Sequence, residues 1–131
     1  MVIVYEFDVD LANPGETPRI QVKQGDVLSR TVYLNLRENG AEWTLDRTAI
    51  ATVRYCQQAT DGQVIAHGQY DKLEDDCPAC TIAGSLLGVT LASAMLAQPG
   101  LVTVDVLLTK GLHQLATFNF EVLVHPAPLG A

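Results

Sequence analysis

From Leu28 to Leu36 the chain alternates with a period of two. Leu28, Arg30, Val32, Leu34 and Leu36 fall on one side, and Val27, Ser29, Thr31, Tyr33 and Asn35 fall on the other. A pleated strand with one oily face and one wettable face produces that pattern. Gly25-Asp26 stands just before it, so Ile20 to Leu36 reads as a turn leading into one long strand. Such a strand must lay its apolar face on a second layer, and the rest of the chain is expected to supply partner strands and an opposing sheet.

The same period recurs elsewhere. Ile3, Tyr5, Phe7, Val9 and Leu11 share one side of an opening strand, with Val4, Glu6, Asp8 and Asp10 largely opposite. Asn13-Pro14-Gly15 and Pro18 predict a loop, and Asn39-Gly40 predicts a tight hairpin because both residues tolerate positive φ. Ile50 to Cys56 and Gln63 to His67 read as a pair of strands joined at Asp61-Gly62, and the polar stretch Gly68 to Ala79 reads as an exposed loop. Thr81 to Ala83 and Leu87 to Leu91 read as two short strands, and Ala92 to Leu96 predicts a single helical turn ending at Pro99-Gly100. The clearest strands come last. Val102, Val104, Val106 and Leu108 define one face of Leu101 to Leu108, and Phe118, Phe120, Val122 and Val124 define one face of Leu115 to Val124.

Eight or nine short strands with at most one helical turn predict an all-β, antiparallel β-sandwich. Its 131 residues suffice for one domain with a real core, placed at residues 1–126, with 127–131 as a frayed tail. Hydrophobic residues make up 48% and charged ones 18%, a balance that excludes a disordered chain. Eight Lys and Arg against 15 Asp and Glu leave a net charge of -7, which disfavours nucleic acid and anionic membrane surfaces and favours basic partner surfaces. No apolar run reaches the roughly 20 residues of a spanning helix, and Glu6 interrupts any signal-peptide pattern, so synthesis in a cytoplasm is expected.

Only one spacing resembles a site. Cys77-Pro78-Ala79-Cys80 brings two thiols three positions apart, and with Cys56 and His67 they would complete a Cys3His tetrahedral zinc set. A structural zinc motif normally pairs two such knuckles, so the thiols read more readily as incidental loop cysteines, and no cofactor is expected. Asp71 and Glu74-Asp75-Asp76 lack the ligand alternation and glycine of a calcium loop and read as a solvated turn. His67, His113 and His125 are available bases, but no serine stands in a nucleophile turn and no glycine-rich phosphate loop occurs, so an enzyme is not expected. Trp43 reads as a core or rim residue ahead of a sugar-stacking platform.

The order of motifs carries more than any one of them. Ile20 to Asp26, Ser29 to Leu36, Asn39-Gly40, Trp43-Thr44, Val53 to Tyr55, Asp61-Gly62, Gly68 to Asp71, Val89 to Leu91, Met95-Leu96, Pro99-Gly100 and Gln114 to Val124 together resemble the N-terminal domain of phage baseplate upper proteins (BppU), found in phages and prophages of Firmicutes. The similarity runs from about Tyr5 to His125. It implies an immunoglobulin-like sandwich that serves as a virion component of the tail baseplate, docking with other baseplate or tail proteins and with receptor-binding subunits, as a homo-oligomer in the particle. Larger members carry a helical linker and further domains after this one, so only the docking role is carried over to a sequence ending at Ala131. The resemblance brings no catalytic residues. The alternative is a carbohydrate-binding module for host-surface adhesion, using Trp43 and tyrosines as platforms.

Overall fold

A computed structural model describes residues 3–12, 17–25, 30–45, 48–73 and 78–126. The described residues form ten strands: β1 (Ile3–Asp10), β2 (Arg19–Lys23), β3 (Arg30–Glu38), β4 (Ala41–Glu42), β5 (Ile50–Gln58), β6 (Val64–Tyr70), β7 (Cys80–Ala83), β8 (Leu86–Thr90), β9 (Gly100–Lys110) and β10 (His113–His125). One 3-10 turn spans Ser93–Leu96. The strands make two five-stranded sheets, one ordered β1-β3-β8-β7 with β4 beside β3, the other ordered β2-β10-β9-β5-β6.

The fold is the expected all-β sandwich, with its inner faces built by alternation. Val32, Leu34 and Leu36 of β3 and Leu87 and Val89 of β8 meet Val102 to Leu108 of β9 and Phe118 to Val124 of β10 at their buried positions. Leu45, Leu91, Met95 and Leu96, from segments outside the strands, complete this core. The turns behave as their residues require. Asn39 and Gly40 both take positive φ, 53° and 82°, and the Asp10 carboxylate accepts hydrogen bonds from their amides at 3.0 and 2.8 Å.

Three expectations are corrected. The sheets are mixed and not wholly antiparallel, because β1 pairs with β3 and β2 pairs with β10 in parallel while the other pairs are antiparallel. The chain leaves β1, crosses to the opposite sheet as β2 and returns as β3, and only such a crossover can lay two strands parallel. For the same reason Ile20 to Leu36 does not act as one unit. Its first part pairs with β10 in one sheet and its second with β3's neighbours in the other.

The third correction lies at β6, which continues to Tyr70 where a loop was expected to begin at Gly68. Gly68 leaves space that the Tyr55 ring fills; a Cβ there would lie 2.8 Å from that ring. Tyr70 then ties the strand end inward, its hydroxyl donating to the Thr90 carbonyl at 2.9 Å. The turns at Asn13-Pro14-Gly15 and Asp26, the acidic run Glu74-Asp75-Asp76, Cys77 and the 127–131 tail lie outside the described residues.

Candidate interaction edge

A β-sandwich ends in edge strands whose outward backbone groups lack a sheet partner, and proteins shield them with charge, proline or brevity. In this molecule β1 carries Glu6, Asp8 and Asp10. On the other sheet β2 carries Arg19 and Lys23, and it is further clamped by the Arg19–Glu121 ion pair at 3.0 Å and by His125 Nε2 against Gln21 Oε1 at 2.9 Å. The edge β7 has only four residues. β6 is the least shielded: its seven residues, Val-Ile-Ala-His-Gly-Gln-Tyr, include no Asp, Glu, Lys, Arg or Pro, and its one irregularity is a register shift at Ile65, near its N-terminal end. Among the described residues β6 pairs with β5 alone.

At the C-terminal end of the same edge lies an open cleft of about 260 Å³, walled by Tyr55, Gly68, Tyr70, Leu73 and Ala92, with Lys72 at its side. The two tyrosine rings meet edge to face, 6.3 Å apart at 62°. Burial pushes the Tyr70 phenol well above its ordinary range, so the hydroxyl stays protonated and acts as a donor to the core. Opposite it, the 3-10 turn is held by Gly25 N donating to the Leu96 carbonyl at 2.9 Å and by Gln24 Nε2 donating to the Ala97 carbonyl at 3.1 Å. The cleft is therefore a small apolar recess beside backbone groups able to pair with a further strand.

The residues singled out from the sequence do not converge. Cys56 and His67 stand opposite each other on β5 and β6, on the outward face with Arg54 and Thr103. Cys80 packs inward against the core from the other sheet, its thiol pushed up to about 12 by burial. A thiol that holds its proton so firmly is a poor metal ligand or nucleophile. The fourth member, Cys77, lies outside the described residues, and no three His, Cys, Asp or Glu among the described residues group to hold an ion. His113 starts β10 in an exposed hairpin and His125 engages Gln21. Trp43 is half buried and its ring packs against Phe118 with centroids 6.1 Å apart, so it serves the rim of the core.

The edge was missed because the polar stretch after Gly68 looked like a loop. A signal for it existed. Counting outward from the Asp61-Gly62 turn pairs Tyr55 with Gly68 and Val53 with Tyr70, which is the register observed.

No protein-family model matches the chain. No curated protein matches it either. Among solved structures, a chain from a study of T cell specificity and activation by the bacterial superantigen toxic shock syndrome toxin-1 aligns at 15% identity and a TM-score of 0.34, covering 82% of this chain and 92% of that one.

Proposed function

We propose that this protein is a non-enzymatic structural and interaction component of a phage or prophage tail baseplate, a docking domain that assembles with other baseplate or receptor-binding subunits. The observation that carries an assembly role is β6, an uncharged edge of seven residues beside an apolar cleft. Strand addition at such an edge gives affinity through main-chain hydrogen bonds and selectivity through the adjoining recess. The baseplate setting rests on the ordered motifs that resemble the N-terminal domain of baseplate upper proteins. Trp43 counts against the glycan-binding alternative, since its ring is committed to Phe118.

The test is location. Immunogold electron microscopy of particles induced from the source bacterium, with antibody raised against this chain, is expected to label the tail tip. Unlabelled particles beside abundant free protein in the same lysate would refute the baseplate reading, and binding of the isolated domain to host cell-wall polysaccharide would then be measured.

A further inference from the structure

We infer that β6 pairs with β6 of a second copy, antiparallel about a two-fold axis at His67, joining two five-stranded sheets into one of ten. A two-fold pairing sets each residue against its own kind or against its mirror position, so it tolerates no charge near the axis unless that charge is matched. This requirement separates the edges. Self-pairing of β1 would set Glu6, Asp8 and Asp10 against one another, self-pairing of β2 would oppose Arg19 and Lys23, and β7 offers only four residues. Of these edges β6 alone is both longer than four residues and free of like charges along the strand.

Its ends match as well. With His67 on the axis, Ala66 faces Gly68 of the other copy, so the two smallest residues of the strand allow close approach. Val64, 51% exposed and set off from the rest of the strand by the register shift at Ile65, is carried toward the end where Tyr70, Leu73 and Ala92 open the cleft. Beyond the strand, the hairpin residue Asp61 of one copy comes to the neighbourhood of Lys72 of the other, both exposed, and the symmetry repeats that opposite-charge approach at the far end. Asp71 beside Lys72 works against this attraction, which leaves the backbone bonds and the apolar ends as the main contributions. A contact confined to one pair of seven-residue strands belongs to the small, weak class of interfaces.

The inference deepens the assembly reading by naming one partner of the same edge. It is tested on the purified chain alone, so either can fail without the other. Sedimentation velocity at pH 8 over a series from micromolar to millimolar protein is expected to show a monomer–dimer equilibrium. His67→Glu sets two carboxylates together on the axis and His67→Lys sets two ammonium groups there. Each variant alone is expected to dimerise at least tenfold more weakly, and an equimolar mixture of the two is expected to recover the dimer. Recovery in the mixture also establishes that both variants are folded.

In the unmodified chain, amide hydrogen exchange is expected to slow with rising protein concentration across Val64–Tyr70 and not across Ile3–Asp10. A monomer at every concentration would overturn the pairing, leaving β6 to a strand from a different protein. A dimer indifferent to both charges at His67, or exchange protection that falls on another edge, would overturn it equally.

Discussion

β9 and β6 belong to one sheet with only β5 between them, yet they are built to different rules. In β9 every second residue from Gly100 to Leu108 is buried, and both flanking strands come from the same chain. In β6 no residue is fully buried, one flank has β5 and the other has no partner among the described residues. The contrast teaches that this sheet separates stability from recognition. Burial of the β9 and β10 side chains fixes the core, and β6 contributes little to it beyond Tyr70. That leaves the edge able to change partners without endangering the fold.

The largest expected effect lies on the stable side of the contrast. Phe120→Ala, which removes a fully buried ring facing Val104 across the β9–β10 ladder, should cost about 3–5 kcal/mol in urea denaturation, while Val64→Ala on β6 should cost less than about 1 kcal/mol. Equal costs would remove the distinction between the two strands. Next comes Gly100→Ala, at the start of β9. Its φ of 148° disfavours a side chain, and a Cβ would lie 2.3 Å from the Gln58 carbonyl oxygen, a backbone atom that cannot swing aside. About 2–3 kcal/mol is expected, from steric crowding and backbone strain together. A neutral result would mean that the β5–β9 junction yields more easily than the core behind it.

A pH series sharpens the comparison where β6 touches the core. Cys80 titrates ordinarily at 9.0 and in the folded chain at about 12, because burial penalises the thiolate. Between those values the unfolded chain has released a proton that the folded chain keeps, so the unfolded state binds fewer protons and stability falls as pH rises. Burial of the Tyr70 phenol acts in the same direction from its ordinary 10.0 upward. Urea midpoints are therefore expected to decline above pH 9.0 and to decline less steeply in Cys80→Ala and in Tyr70→Phe. A midpoint independent of pH in that window would mean that both groups reach solvent.

How far the fold could be read in advance follows the same division. The alternation in β9 and β10, and the buried face of β3 at Val32, Leu34 and Leu36, were legible because burial imposes a local period of two on the residues themselves. The parallel pairs β1–β3 and β2–β10 were not, since the partners stand far apart in sequence and no turn residue encodes them. For the zinc set, spacing suggested proximity that the sandwich denies: residues placed outward on one sheet and inward on the other cannot meet across the core. The β6 edge was half legible. Its hairpin turn was recognised, but the strand's polar continuation hid the reach to Tyr70, which depends on Tyr55 filling the space above Gly68.

The smallest effect tests the register of β10 one residue at a time. Thr117 and Phe118 are neighbours, with Thr117 exposed and Phe118 packed against Trp43 inside the sandwich. The Thr117 hydroxyl accepts a hydrogen bond from Gln114 Nε2 at 3.0 Å, an exposed contact that water replaces at little cost. Thr117→Ala should therefore change stability by no more than about 0.5 kcal/mol, against several kcal/mol for Phe118→Ala. Because a slip of one residue turns every side chain of a strand to the other face, the pair cannot lose its ranking without the whole strand being misplaced. A Thr117→Ala cost rivalling that of Phe118→Ala in chemical denaturation would shift β10 by one residue, and with it the β9 alternation and the inward position of Phe120.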